Sequence, residues 1–261
     1  MTGSRIILHH DRNTPASVRI RKIFALKGLQ WGSCEIDGEV GGNGDVSSAA
    51  AILSGALGQP ILQFEHRLWV SSLAVTDAIE ALCPDPTLFP NGNRGMPLAL
   101  SWWSDDFGGT TSPEQISAHA ALIARQLADG RSFLQGSTPG LADVQAFAGL
   151  TAATAGKKDA TPDLPDVVTA WQARMISLGE GDPTTVTPDA ALATLAAATI
   201  PAGHGEQKIR IVATNGCAVS GALVTSGPDG HAVAVNAGAG PGAGRSVIVH
   251  FPAIGYSAEA L

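Results

Sequence analysis

Gln59-Pro60-Ile61-Leu62-Gln63-Phe64-Glu65-His66-Arg67-Leu68-Trp69-Val70-Ser71-Ser72 packs three structural elements into one short stretch. Pro60 has no N–H to give a ladder, so it marks a strand's start. Ile61 to Phe64 is an aliphatic run suited to a buried strand, Glu65-His66 is a tight turn, and Arg67 to Val70 is the returning strand. Ser71 then opens a helix whose Val75, Ala78, Ile79 and Leu82 recur at helical spacing. Working back, Arg5 to His9 reads as a first strand, broken at Asn13-Thr14-Pro15. The helix after it places Ala16, Ile20, Ile23 and Phe24 on one face and Arg19, Arg21 and Lys22 on the other, and Lys27-Gly28 stops it. Trp31 to Ile36 is the second strand, Gly38 to Asp45 a loop and Ser47 to Leu53 a weak helix. The order β-α-β-α-β-β-α, within roughly 80 residues, is a complete small α/β unit.

Working forward, Pro84 to Pro97 is rich in Pro, Gly and Asn and carries no periodicity, which predicts a linker. Beyond it the pattern is helical. Ser112-Pro113-Glu114-Gln115 is a capping box with proline at the first helical position, followed by a stripe of Ile116, Ala120, Ile123, Ala124 and Leu127. A further helix starts at Gly140-Leu-Ala-Asp143, another spans Asp166 to Leu178, and Thr187-Pro188-Asp189 caps a last one. After Pro201 the period drops to two, at Ile209/Ile211, Val233/Val235 and Val247/Val249/Phe251, with Pro228-Asp229-Gly230 among the turns. The expected organisation is an α/β domain over 1–83, an all-α domain over 97–200 and a small all-β extension over 205–261. That extension is read as an SH3-like or partial barrel docked on the helices.

The whole sequence has 261 residues, 44% hydrophobic and 15% charged, enough for two or three cores. The net charge of -7 is thinly spread, which argues against nucleic-acid and anionic-membrane partners. Cys34, Cys83 and Cys217 are far apart and form neither a disulfide framework nor a metal knuckle. The first apolar run is cut short by His9, His10 and Asp11, so neither a signal peptide nor a membrane span is expected. A cytoplasmic protein is the expectation, with a Gly- and Ala-rich composition of the kind a GC-rich bacterial genome produces.

Ile6-Ile-Leu-His-His10 with Thr14-Pro15-Ala-Ser17, Arg21 and Leu26-Lys27-Gly28 resembles the opening β-α unit of bacterial glutathione S-transferases. Gln59-Pro60-Ile-Leu-Gln63 resembles their cis-proline segment. Phe133-Leu-Gln-Gly136 with Pro139-Gly-Leu-Ala-Asp143 resembles their helix-capping motif, Trp171-Gln-Ala-Arg-Met175 a late helix, and Val249-His-Phe-Pro252 with Gly255-Tyr256 a β extension of one bacterial subgroup. The resemblance implies a thioredoxin-like first domain, a helical second domain and a dimer. It also implies glutathione as co-substrate, a small electrophile as second substrate and no metal. Thr14, with Ser17 one turn on, would polarise the glutathione sulfur from a helix N-terminus. The backbone at Gln59, before a cis Pro60, would pair with the tripeptide. Ser71 and Ser72 would receive the γ-glutamyl carboxylate, and Trp103 would face the electrophile.

The sequence also departs from the family. Ser71 stands where an acidic residue is common, and Asp11 and Thr14 replace Tyr and Ser of the subgroup. An ionised Asp11 near the sulfur would oppose thiolate formation. The helical hairpin between Trp102-Trp103 and Ser112 is expected to be shortened. Each candidate has a plain alternative: Thr14, Ser17, Ser71 and Ser72 as helix caps, Trp102 and Trp103 as packing, Cys34 as a buried thiol and Asp143 as a folding residue. Two further functional readings therefore stand beside the transferase: a non-catalytic binding module, and a thiol-dependent isomerase or lyase.

Overall fold

Ile6, Ile7 and Leu8 do open a strand, and the elements follow in this order. They are β1 (Ile6–His10), α1 (Pro15–Leu26), β2 (Gln30–Glu35), β3 (Asp45–Val46), α2 (Ala49–Ala51) running into a π-turn over Ile52–Ala56, β4 (Ile61–Phe64), β5 (Arg67–Val70) and α3 (Ser71–Leu82). Then come α4 (Gly95–Gly109), α5 (Pro113–Gln126), α6 (Leu141–Thr154), α7 (Asp166–Ser177), β6 (Asp182–Thr185), α8 (Pro188–Ala193), β7 (Lys208–Ala213), β8 (Ala218–Gly227), β9 (Gly230–Asn236), β10 (Ser246–Pro252) and β11 (Tyr256–Ala260). The structure, a computed structural model, describes residues 6–36, 44–110, 112–155, 162–199, 207–238 and 244–261. Most of the loop expected from Gly38 to Asp45 lies outside the described residues, as do Arg5 and the transition at 201–205. The chain divides into two units, one of residues 1–12, 30–78 and 183–261, the other of residues 13–29 and 79–182.

The first unit is built on one mixed sheet. β1 pairs parallel with β2 and antiparallel with β4, which turns back into β5 through Glu65 at φ 55°. The C-terminal strands do not stand apart as a barrel. They form an open meander, β11-β7-β8-β9-β10, whose last member runs parallel to β5 with Ile248 opposite Arg67 and His250 opposite Trp69. The physical reason for this pairing is the edge of β5. Its free N–H and C=O groups would otherwise face solvent as a template for association. A single apolar layer then serves both halves of the sheet: Ile61, Leu68 and Val70 share a core with Ile209, Val219, Val233, Val247, Val249 and Phe251. Ile52 and Leu195 belong to the same core. β3, read from sequence as loop, adds a short parallel pairing to β8, and Asp45 accepts from Arg210 Nε and from the Ser220 hydroxyl.

The second unit is helical, and its surprise is α1. Ile20, Ile23 and Phe24 are buried, but so is the opposite face, where Arg19, Arg21 and Lys22 are 3, 5 and 6% exposed. The amphipathic reading of this helix is corrected: the basic face is a polar interface. Arg19 donates to Ser104 Oγ at 3.0 Å and pairs with Asp105, Arg21 Nε meets Glu180 at 3.0 Å, and Lys22 Nζ donates to the Met175 and Gly179 carbonyls at 3.0 and 2.8 Å. Lys27, at the C-cap of α1, is held by Glu80 Oε2 at 2.5 Å and by the Cys83 and Pro84 carbonyls at 2.6 and 3.3 Å. Glu80 in turn accepts from the Thr87 hydroxyl at 2.6 Å and the Leu88 N–H at 3.1 Å. Burial pushes its carboxyl up, and the bonds from Lys27, Thr87 and Leu88 outweigh that and bring it below its ordinary value.

α6 is the spine of this unit, buried over most of its length. It approaches α4 closely at Gly149, where a Cβ would meet the Ser104 carbonyl oxygen at 2.9 Å. At its start, Asp143 accepts from the Leu134 and Gly140 N–H groups at 2.8 and 3.1 Å and from Trp171 Nε1 at 2.8 Å, the folding role expected of it. The hairpin expected to be shortened holds two helices of 15 and 14 residues. Helix α4 starts at Gly95, ahead of Trp102-Trp103, and passes through them to Gly109, and three residues connect it to α5.

Candidate functional site

Four of the residues singled out from sequence meet in the sheet unit. The β4–β5 hairpin brings the start of β4 beside the start of α3, where the Ser71 N–H donates to the Pro60 carbonyl at 3.2 Å. Gln59 lies just outside β4, half-buried, and among the described residues neither its N–H nor its carbonyl has a partner. The Gln59–Pro60 bond is trans; the cis bond among the described residues is Asp85–Pro86. This corrects the cis expectation at Pro60. The extended backbone that a residue before proline prefers already leads into β4, and trans is the ordinary state of an X–Pro bond.

Ser71 adopts φ 79°, a left-handed conformation that a serine enters at a cost. Its hydroxyl accepts weakly from the Ala74 N–H at 3.5 Å, and the Ser72 carbonyl accepts from the Thr76 hydroxyl at 2.6 Å. The N–H groups of Ser72 and Leu73 have no partner among the described residues. An extended peptide segment with free backbone groups thus adjoins a helix N-terminus, an arrangement able to take a short peptide carrying a carboxylate.

Thr14 and Ser17 belong to the helical unit. Thr14 is the N-cap of α1, its Oγ1 accepting from the Ser17 N–H at 3.3 Å and donating to Ser17 Oγ at 2.7 Å. Ser17 is fully buried and Thr14 is partly exposed. Trp103 stands elsewhere in the same unit. Its ring packs on Phe107 and His119, with centroids 5.5 and 5.7 Å away, and it lines a cavity of about 450 Å³ bounded by α4, α5 and the turn before α6. No residue of α1 lines that cavity.

Sequence reading missed a buried network in the sheet unit. Gln63 Nε2 donates to the Ala191 carbonyl at 2.8 Å and to Thr194 Oγ1 at 2.9 Å, so its Oε1 is the acceptor that faces His9 Nε2 at 2.9 Å. His9 is therefore a neutral imidazole protonated on Nε2, and its buried Nδ1 has no partner among the described residues. Burial lowers its pKa to about 4 against the weaker upward pull of Gln63. His250, stacked on Trp69 at 5.2 Å, is lowered to about 4 by burial and then by Arg67 and His66. Alternation along β1 placed His9 on one face, but nothing local signalled Gln63 or Thr194. Among the described residues no three His, Cys, Asp or Glu side chains gather as a metal site, and no helix is long and apolar enough to cross a membrane.

A GST-like protein from Pseudomonas syringae superposes over 99% of this chain and 100% of its own, with a TM-score of 0.75 at 21% identity. The chain has the glutathione S-transferase fold. A Tau class glutathione S-transferase from mango, Mangifera indica, matches at TM-score 0.51 and 16% identity, covering 66% of this chain and 89% of that one. FzlA from C. crescentus matches at 0.50 and 19%, covering 66% and 88%. Neither a family model nor a curated protein matches the sequence. A third of this glutathione S-transferase fold thus lies outside what the mango and C. crescentus structures cover, whereas the P. syringae structure spans nearly the whole chain.

Proposed function

We propose that this chain is a glutathione S-transferase-like enzyme that binds glutathione and conjugates or reduces a small electrophile. The observation that carries the reading is the free Gln59 backbone beside the α3 N-terminus, with Ser71 held at φ 79° between them. In this reading Gln59 pairs with the cysteinyl backbone of the tripeptide as an added strand would. Its γ-glutamyl carboxylate lies against the Ser72 and Leu73 N–H groups and the positive end of α3.

By the family resemblance the sulfur falls to the Thr14 hydroxyl, which turns its proton away from Ser17 Oγ to donate to it, and the N-terminus of α1 adds its dipole; together these favour the thiolate. Ser17 is a positioning residue that fixes the Thr14 rotamer. The sulfur lone pair then forms a bond to the electrophilic carbon, and the displaced group leaves with its electron pair. Titration calorimetry with glutathione tests the binding half, and absence of heat at millimolar concentration overturns it. Conjugation of 1-chloro-2,4-dinitrobenzene tests the chemistry: Thr14→Val is expected to lower kcat by about a hundredfold, the size typical of losing one hydrogen-bond donor at a developing charge.

A second reading, a ligand-binding module without catalysis, has one specific observation in its favour. The Thr14 proton is directed at Ser17 Oγ rather than outward. Glutathione binding without conjugation, unchanged by Thr14→Val, would select it.

A further inference from the structure

The C-terminal meander ends on β11, and β11 is an open edge. One side of it pairs with β7; on the other no strand lies among the described residues. The Thr214 N–H donates to the Gly255 carbonyl at 3.0 Å and the Leu261 N–H to the Lys208 carbonyl at 3.2 Å. Antiparallel alternation then turns the backbone groups of Ser257 and Glu259 toward β7, and those of Ala258 and Ala260 outward. At the other end of the sheet, β6 carries Pro183, which has no N–H to offer a further strand.

β11 has no such guard. Ser257, Ala258, Glu259 and Ala260 are all exposed. Glu259 shares Arg210 with Asp45, at 3.8 and 3.0 Å, and can accept from a further donor. On the other face Ala258 and Ala260 stand opposite Ile211 and Ile209, which belong to the buried apolar layer. That layer therefore runs out to the edge and stops at two small exposed side chains. Tyr256 packs against the same layer, its ring 5.2 Å from that of Phe251.

The strand is complementary to itself. A second β11, antiparallel across a two-fold axis, joins outward groups to outward groups when the axis passes at Ser257, Ala258 or Glu259. An axis at Glu259 sets like charges directly opposite, which is destabilising. An axis at Ser257 carries Ala260 past the end of the partner strand. An axis at Ala258 uses the whole strand: Ala258 exchanges hydrogen bonds with its own copy, and the Ala260 N–H donates to the Tyr256 carbonyl of the partner subunit. Ser257 and the partner's Glu259 then form a non-hydrogen-bonded pair, where side chains come closest, and the hydroxyl donates to the carboxylate.

We propose that β11 is a self-association edge, occupied by β11 of a second copy of this chain with the axis at Ala258. It is an isologous contact that continues the sheet from one copy into the next. It involves neither Thr14 nor Gln59, so it is independent of the thiol reading.

Sedimentation velocity of the full chain, from low micromolar to near-millimolar concentration, tests it. The expected result is a concentration-dependent step that at least doubles the mass of the smallest species. Ser257→Arg sets a cation against the partner's Glu259 on both sides of the axis and should tighten that step about three- to tenfold, whereas Ser257→Glu should loosen it by about as much. Ala258→Pro removes an outward N–H without touching the β7 ladder and should weaken the step about tenfold or more. The Ser257 variants change one exposed side chain, so they decide the matter if the proline variant does not fold. A mass independent of concentration would overturn the proposal, even if the edge takes a strand from some other protein. A step indifferent to both Ser257 variants would also overturn it, since the association would then lie on another face, the dimer implied by the family resemblance included.

Discussion

The helical unit and the sheet unit bury different titratable groups. In the helical unit several buried charges are matched, Lys27 to Glu80, Lys22 to two carbonyls and Asp143 to three donors, beside atoms such as Arg19 Nε and Gln145 Oε1 that have no partner among the described residues. In the sheet unit they are neutral histidines, His9 and His250, each with one buried nitrogen unpartnered among the described residues. A matched ion withstands changes of pH until its own proton moves, and it fails badly when its partner is removed. A neutral imidazole tolerates substitution better but is exposed to acid.

The largest way to break the comparison is therefore to strand a charge. Lys27→Met leaves Glu80 buried with two neutral donors and should cost about 3–5 kcal/mol in urea unfolding. Adding Glu80→Gln should recover a good part of that loss; a double variant no better than the single one would mean that Lys27 acts through packing alone. Asp143→Ala comes next, at about 3 kcal/mol, because the Leu134 and Gly140 N–H groups and the Trp171 indole lose their acceptor together.

The sheet unit should instead answer to pH. Above its unfolded value of 6.5 each histidine is neutral in both states, and its environment sets no pH slope. Between 6.5 and about 4 the unfolded chain takes up a proton that folded His9 and His250 refuse, so stability falls as pH falls through that window. The loss reaches at most ~3 kcal/mol for each histidine. Hydrogen exchange at pH 4.5 should show β9 and β10 amides opening more than those of α6, and His9→Gln should flatten the slope. Equal acid sensitivity in the two units would remove the contrast.

This difference was only half visible in the sequence. Helix caps were legible because their partners lie within four residues: Thr14, Ser112 and Thr187 each accept from an N–H three positions on. Strands were legible from alternation, and the meeting of Gln59 with Ser71 followed from the short hairpin between them. What was hidden depends on distant partners. Arg19, Arg21 and Lys22 looked like a solvated face because Ser104, Asp105, Met175, Gly179 and Glu180 lie 85 to 159 residues away. The pairing of β10 with β5 is equally non-local, and period two says that a strand exists without naming its neighbour. The Trp103 cavity depends on the spacing of two helices and one turn, which no local pattern encodes.

The smallest effect lies at Thr14, where folding and chemistry compete for one hydroxyl. As an N-cap it satisfies the Ser17 N–H, so Thr14→Ala should cost about 1 kcal/mol of stability, and Thr14→Ser, which keeps the oxygen, almost nothing. If the hydroxyl also serves a thiol, the serine variant keeps conjugation while the alanine variant loses far more activity than 1 kcal/mol of destabilisation explains. The two variants measured together, by thermal unfolding and by kcat, separate cap from catalyst. Activity that tracks stability alone would leave Thr14 as a matched polar group of the helical unit, no different in kind from Asp143.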